Sequence, residues 1–346
     1  MPLPFLPACL GMVHGALPHR NPAQAQALLN KTTPVITAWP QLPLRSFREQ
    51  DYVQAAAGFP GLVYDGVQER VYVDRSLLDQ SLDALSLAYL QNDTQASGLG
   101  VEDAAGLSEL LRTASQGLKA RAIKGQTVGP VSLGMLLTDE QLRPLMYEAM
   151  LLDALSQHIH LRARWQVERF SDFVDATIIC LEEPFLEAVE SPFVPINWED
   201  ALDLIERVYV GINCCRGLVV EGKIDWERLF ASSIELFVVD VTTQFDRLLE
   251  AEGIERFFER GGMIAWGLVP SESETLAQTD LDSLLEQTNQ YFERVIARGV
   301  VRERLLSQSL VTTMTNLANL TVEEAERAMG LVFELSQKLR EPISTA

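Results

Sequence analysis

The chain has 346 residues, 47% of them hydrophobic, and it carries 48 Asp and Glu against 28 Lys and Arg, a net charge of −20. This length holds one large domain or two ordinary ones, and the apolar fraction is enough for a substantial core. A surface this acidic repels phosphate, which argues against non-specific nucleic-acid binding and against binding to anionic membranes.

Cysteine usage and the N-terminus bear on the compartment. Four cysteines are too few for a disulfide scaffold in a chain of this size, so we expect a reducing compartment, the cytoplasm. The first stretch, "MPLPFLPACLGMVHGALPHR", starts apolar but has no basic n-region and no useful proline-free core, so no signal peptide is expected. No run of eighteen uncharged apolar residues occurs, and no transmembrane helix is expected.

Eight short apolar runs recur along the chain. In order they read "ACLGMVHG", "PVITAWP", "RAIKGQTVGP", "DATIICLEEP", "RVYVGINCC", "IELFVVDV", "GGMIAWGLVP" and "SQSLVTT". Such continuous runs, bounded by Gly, Pro or acids, are typical of strands buried on both faces. Helical patterns lie between them, including a capped helix from Asn21, a long helical region through Arg164, and helix 275–298; the amphipathic "TVEEAERAMGLVFELSQKLR" closes the chain. This alternation predicts an α/β fold, a (β/α)8 TIM barrel. No G-x-G-x-x-G follows the first strand, which weakens the dinucleotide-binding alternative.

The spacing between the second and third strands is unusually long, roughly eighty residues, far more than a βα unit needs. It contains "LVYDGVQERVYVD", a hairpin pattern that turns near Asp65 and Gly66, and helical patterns at about 75–90 and 101–118. We therefore predict a single barrel domain over 1–346, with 45–120 as an insertion that caps the barrel mouth.

Chemistry in such barrels sits at the C-terminal ends of the strands. Successive strand residues point to opposite faces, so one of Cys214 and Cys215, and one of Glu182 and Glu183, should face inward. Asp240 closes the run "LFVV", where it either lines the mouth or caps the next helix.

The motifs "HGALPHRNP", "WPQLPLRSFRE", "KGQTVGPVSLG", "EEPFLE", "NCCRG…KIDW" and "GGMIAWGLVPSE" occur in this order. With them the chain resembles the uroporphyrinogen decarboxylase and cobalamin-independent methionine synthase superfamily, and in particular the short methionine synthase-like proteins with a single barrel. The resemblance implies a methyltransferase in which zinc lowers the pKa of a small thiol, homocysteine or similar, so that its thiolate attacks a methyl group. It also implies a methylated corrinoid protein as the methyl donor and partner.

The zinc site that the resemblance implies is incomplete in this sequence. Cys215 and Asp240 match two ligand positions, whereas Asn213 stands at the histidine position and Thr315 at the last cysteine position. Two ligands do not hold zinc tightly, so we expect a degenerate site, with His14 as a candidate replacement ligand.

The resemblance also implies a substrate pocket. In it Glu183 contacts the substrate amino group, and Ala16 replaces a serine that would hold a carboxylate. The full set of expected substrate-binding residues is Gly15, Ala16, Gln41, Gln126, Glu183 and Trp266. No catalytic residue is assigned.

Two alternatives stay open at this point. One is a catalytically degraded barrel that serves as a binding subunit for a corrinoid protein or a methyltransferase. The other is a metal-free enzyme nearer to the decarboxylases, in which Arg20, Arg45 and Arg48 bind a carboxylated ligand. The sequence contains no Ser-His-Asp, P-loop, HExxH or CxxC pattern that would indicate another chemistry.

Overall fold

The computed structural model describes residues 3–341 and contains one eight-stranded parallel sheet and one two-stranded hairpin. The strands are β1 (Leu10–Gly11), β2 (Ile36–Ala38), β3 (Leu62–Asp65), β4 (Arg70–Val73), β5 (Ala122–Val128), β6 (Ala176–Glu183), β7 (Cys215–Val220), β8 (Leu236–Asp240), β9 (Met263–Val269) and β10 (Ser309–Thr313). The parallel sheet has the order β1-β10-β9-β8-β7-β6-β5-β2, and β3 pairs with β4 antiparallel. The sheet curves into a nearly closed barrel with β1 and β2 at its two ends, which confirms the predicted (β/α)8 barrel.

Fourteen α-helices accompany the strands in residues 3–341. They are α1 (Pro22–Thr32), α2 (Asp51–Ala56), α3 (Leu78–Gln91), α4 (Ala105–Ala114), α5 (Pro130–Leu136), α6 (Ala149–Phe170), α7 (Trp198–Val208), α8 (Trp226–Ala231), α9 (Val241–Glu250), α10 (Ile254–Glu259), α11 (Ser273–Gln278), α12 (Leu281–Ile296), α13 (Arg302–Ser307) and α14 (Val322–Arg340). Polar side chains cap the N-termini of two of these helices. The Asn21 side chain accepts from two N–H groups at the start of α1, and Thr321 and Glu324 form a capping box on α14. Within the described range, no helix is long and apolar enough to cross a membrane.

Alternation along the strands separates two apolar clusters. Residues inside the barrel are small or medium in size, and among them are Leu10, Met12, Ile36, Ala122, Ile178, Cys180, Cys215, Val219, Leu236, Val238, Ala265 and Leu310. The intervening residues, such as Phe237 and Trp266, belong to the larger cluster formed with the surrounding helices. Within residues 3–341 the barrel interior is therefore a packed core rather than a pore.

The predicted fifth strand is wrong in position. Residues 198–208 form α7, whose apolar residues Trp198, Ala201 and Ile205 are buried, and Gly211 follows at φ +71°. The strand begins only at Cys215. The run "RVYVGINCC" thus joins the last turn of a helix to the start of a strand, and the left-handed Gly211 lies in the turn between them.

The segment between β2 and β5 holds the predicted hairpin and the two predicted helices, α3 and α4. It is anchored on α6 by the buried Arg162, whose guanidinium donates to the carbonyl oxygens of Ser97, Gln54 and Ala57. The helix α2 in this segment contacts β5. That 45–120 acts as a cap over the mouth stays a prediction.

Candidate functional site

A cavity of about 470 Å³ lies at the C-terminal ends of β1, β7, β8 and β10. His14 lies at the end of β1, and Glu221 and Asp240 lie at the ends of β7 and β8. The other lining residues are Glu187, Val220, Gly222, Lys223, Thr243, Gln244, Arg247, Met314 and Thr315. This is the end of the barrel at which parallel strands deliver side chains from separate parts of the chain to one place, so it is the candidate functional site.

Two buried acceptor oxygens converge beside Gly15. A methyl group placed on Gly15 would lie 3.5 Å from Glu182 Oε1 and 3.9 Å from Gln41 Oε1. Both oxygens are buried and neither has a hydrogen-bond partner. Buried polar atoms are almost always paired, so two unpaired oxygens at one point call for a donor, which a ligand or an ordered water can supply.

The protonation of Glu182 is strongly perturbed. Burial, and then the nearby negative charge of Asp51, raise the pKa of Glu182 to about 8, although the Lys124 ammonium acts in the opposite direction. Burial also raises the pKa of Asp51 to about 6, and its Oδ1 is buried without a partner. Glu182 and Asp51 are therefore two carboxyl groups in one poorly solvated place, where ionising one opposes ionising the other.

A buried lysine on β5 forms hydrogen bonds with residues of this part of the barrel. Lys124 Nζ donates to the carbonyl oxygen of His14 at 2.6 Å and to Gln126 Oε1 at 3.1 Å. The Gln126 amide donates in turn to the carbonyl oxygen of Trp39, and Gln126 is almost fully buried. Gln126 therefore joins β5 to the end of β2, and its amide is occupied by protein partners rather than open to the cavity.

His14 is the one histidine that lines the mouth cavity. Its Nδ1 lies 3.3 Å from the carbonyl oxygen of Thr313, which is the one hydrogen bond of the His14 ring within residues 3–341. Burial and the Lys124 charge lower the pKa of His14 to about 4, so the ring is neutral at pH 7.

The other mouth residues that the sequence singled out are held by local contacts. Asp240 accepts from the Thr242 N–H and hydroxyl and from the Thr243 hydroxyl, so it caps α9 while it also lines the cavity. The Thr315 hydroxyl lies 2.6 Å from that of Ser271.

Glu183 does not face the mouth, contrary to the expectation that it contacts a substrate. Its Oε1 accepts from the Val131 N–H at 3.0 Å and its Oε2 from the Ser132 N–H at 2.6 Å, at the start of α5. Burial raises its pKa to about 7 despite these bonds. The inward-facing member of the pair is Glu182, because it shares the face of Ile178 and Cys180 inside the barrel.

Cys215 lies at the opposite end of the barrel from Asp240, which corrects its predicted place at the mouth. It opens β7, whereas Asp240 closes the neighbouring β8, and the pairing of Val219 with Val238 separates them by six positions. Six positions along a strand correspond to about 20 Å. Asn213 lines a different cavity, of about 530 Å³, beside the starts of β6 and β7.

The residues present do not fit the implied zinc site. Within residues 3–341, no group of three or more His, Cys, Asp and Glu side chains could hold a metal ion. Burial raises the pKa of the Cys215 thiol well above its usual value, which disfavours the thiolate that zinc requires. His14 and Asp240 line the same cavity, but two donors are fewer than a zinc site uses.

Of the remaining residues that were expected to bind substrate, some lie near the candidate site and one lies in the core outside the barrel. Trp266 packs against Phe245 and Phe292 outside the barrel, so it does not form a wall of the mouth. Ala16 is buried, and Gly15 lies next to the two free acceptors.

The arginines of the decarboxylase alternative are partly engaged. Arg45 pairs with Glu49, and Arg48 pairs with Asp103 at 2.7 Å. These ion pairs reduce the support for a carboxylate-binding arginine cluster.

Comparison with known proteins supports the fold. No protein-family model and no curated protein matches the chain. Among solved structures, a methyltransferase from Methanosarcina mazei is 13% identical, with 96% of this chain and 95% of that chain covered and a TM-score of 0.50. A B12-independent methionine synthase from Shewanella sp. W3-18-1, in complex with selenomethionine, is 14% identical over 68% of each chain, with a TM-score of 0.48. At 13% identity, the likeness to the Methanosarcina mazei structure shows a common fold.

Sequence reasoning missed Lys124 and Asp51. Lys124 had a signal, because a lysine inside the apolar run "RAIKGQTV" is costly to bury without partners. Asp51 had none, since the path of the segment after β2 brings it to Glu182.

Proposed function

We propose that this chain is a methyltransferase-like barrel of the methionine synthase and uroporphyrinogen decarboxylase type. In this proposal it binds a small amino-acid thiol, such as homocysteine, at the C-terminal mouth. The observation that carries the proposal is the pair of buried, unpartnered acceptors, Glu182 Oε1 and Gln41 Oε1, beside Gly15.

An ammonium group suits these acceptors. It offers three N–H donors; the Gln41 amide oxygen can only accept, and the Glu182 carboxyl is a pure acceptor once it is ionised. In the ligand-free protein the raised pKa of Glu182 keeps its carboxyl largely protonated at pH 7. An ammonium placed against it favours the carboxylate, so binding and loss of the Glu182 proton are coupled. Gly15 leaves the space that a side chain would otherwise take.

The reaction proposed at this site is methyl transfer to the thiol. The S–H bond breaks, its electron pair forms the new S–CH3 bond, and the proton leaves to solvent. The bond between the methyl group and its donor breaks at the same time, and that electron pair stays with the donor. The proposed donor is a methylated corrinoid carried by a partner protein. The ammonium contact would orient the acceptor, and no step is assigned to zinc because the residues do not fit it.

Calorimetric titration with L-homocysteine tests the binding step. Affinity should rise between about pH 6.5 and pH 8, by at most about tenfold per pH unit, because Glu182 must lose its proton. Glu182→Gln should weaken binding and remove this pH dependence. Glu334→Gln, an exposed substitution on α14, is the matched control and should bind as the wild type does. Binding that is equal in Glu182→Gln and wild type would contradict the proposal.

Methyl transfer is tested separately, with free methylcobalamin as donor and mass-spectrometric detection of methionine. The proposal expects methionine to form with the wild-type chain and to fall steeply with Glu182→Gln.

The binding-subunit alternative is favoured by one observation: Cys215 and Asp240 lie at opposite ends of the barrel. Homocysteine binding with no methionine formed, even with excess methylcobalamin, would support that alternative over the enzyme.

A further inference from the structure

His14 lines the mouth cavity and uses one of its two ring nitrogens in a hydrogen bond to the protein. The residue is 6% exposed, and its ring contributes to the cavity lining. The Nδ1 atom lies 3.3 Å from the carbonyl oxygen of Thr313. A carbonyl oxygen can only accept, so Nδ1 carries the ring proton, and in the neutral ring Nε2 keeps a lone pair.

The surroundings hold this arrangement in place. Lys124 donates to the backbone carbonyl of His14 at 2.6 Å, which fixes the turn that carries the ring. The same ammonium, together with burial, disfavours a second proton on the imidazole. The Asp240 oxygens accept from Thr242 and Thr243, and the other charged residues that line the cavity are Glu187, Glu221, Lys223 and Arg247. The Nε2 lone pair is therefore free for a ligand.

We propose that His14 Nε2 is a specificity-determining hydrogen-bond acceptor, which selects ligands that end in a neutral S–H or O–H donor. The inference rests on the proposed function for the ammonium contact. It adds the protein group that accepts a hydrogen bond from the S–H or O–H end of the ligand. A ligand that lacks the donor leaves Nε2 buried and unpaired, and that is the origin of the selectivity.

Three ligands that share the amino-acid part separate the two contacts. They are L-homocysteine, L-homoserine and L-2-aminobutyrate, which end in S–H, O–H and C–H. Wild-type protein should bind the first two about tenfold more tightly than the third, the effect of one buried hydrogen bond. His14→Asn retains an amide N–H for the Thr313 carbonyl but has no acceptor at the Nε2 position. It should bind all three ligands with the affinity that the wild type has for L-2-aminobutyrate.

The affinity for L-2-aminobutyrate also reports whether His14→Asn is folded. Equal wild-type affinity for all three ligands would overturn the role of His14 and leave the proposed function standing. Binding of none of the three would overturn the proposed function and, with it, the thiol or hydroxyl selectivity.

A ligand-free measurement tests the acceptor itself. In protein labelled with ¹⁵N-histidine, the His14 signals are the set that disappears in His14→Asn, among four histidines in the chain. The proposal expects a proton on Nδ1 and none on Nε2 at pH 7. A proton on Nε2 would overturn it whatever the ligands do.

Discussion

The fold disfavours ionisation of the Glu182 carboxyl group. Burial and the charge of Asp51 raise its pKa from a reference value of 4.5 to about 8. Between these two values the folded protein retains a proton that the unfolded chain has lost. The free energy of unfolding therefore falls as the pH rises through this window, by at most about 1.4 kcal/mol per pH unit for one proton.

Glu182→Gln removes this titration. We expect the variant to have a higher free energy of unfolding than the wild type, and the difference to be larger at about pH 8 than at about pH 5. The reason is that the free energy of unfolding of the wild type falls as the pH rises through this window, whereas a glutamine does not titrate. Urea unfolding at both pH values measures the difference. Glu334→Gln should follow the wild type at both. A gain that is the same at the two pH values would show that Glu182 does not titrate in this window.

Glu183 is a structural residue, unlike its neighbour. Its two oxygens accept from the Val131 and Ser132 N–H groups in a fully buried place. Glu183→Ala leaves both donors unpaired, so the free energy of unfolding should fall by about 2–4 kcal/mol. Denaturant unfolding measures the loss, and the exposed Glu190→Ala should stay within about 0.5 kcal/mol of wild type. A change for Glu183→Ala as small as the control's would refute the structural role.

Helix α4 packs directly on the chain that follows β2. A methyl group on Gly106 would lie 1.9 Å from the carbonyl oxygen of Pro40, a backbone atom that cannot rotate away. The absence of a side chain at Gly106 therefore sets the distance between α4 and the loop that carries Gln41 to the mouth.

Gly106→Ala should destabilise the protein by about 1–3 kcal/mol through overpacking. It should also weaken L-homocysteine binding, because the loop with Gln41 must shift. Gly66→Ala in the hairpin is the matched control, since its methyl group meets no atom within 4 Å. Thermal unfolding compares the two variants. Equal melting temperatures would mean that α4 can move away from the loop after β2 without loss of stability.

The elements differ in how far the sequence predicted them. The hairpin, α1 and α14 follow from local signals: the Asp65–Gly66 turn, the Asn21 cap and the Thr321 capping box. The boundary at β7 did not follow from the apolar run. The helical spacing of Trp198, Ala201 and Ile205 and the position of Gly211 were the signals that could have placed it.

At the scale of the molecule, the barrel separates two sets of polar groups. Within residues 3–341 a packed, mainly apolar cluster lies between the mouth, with Glu182 and His14, and the other end, with Asn213 and Cys214. The difference between a zinc-thiolate mechanism and the function proposed here depends on this separation.

Cys215→Ala tests the separation. Because Cys215 lies about 20 Å along the strands from Asp240, the variant should keep the wild-type affinity for L-homocysteine. It should lose about 1 kcal/mol of unfolding free energy through the small cavity that it leaves. Calorimetry measures the first and urea unfolding the second. Loss of ligand binding in a folded Cys215→Ala protein would restore a role for this thiol at the site.

The sequence by itself determined the barrel, because eight buried runs that alternate with helices have few other ways to pair. It also indicated the polar groups at the ends of β6 and β8, but it misplaced the end of β7. Only the tertiary structure decided which of these groups meet. A shift of one residue exchanges Glu182 for Glu183 at the mouth, and a strand that begins a few residues later moves Cys215 from one end of the barrel to the other. The side of the sheet that a side chain faces, and its position along the barrel axis, depend on the register between strands that are distant in the chain. Local sequence carries little information about this register.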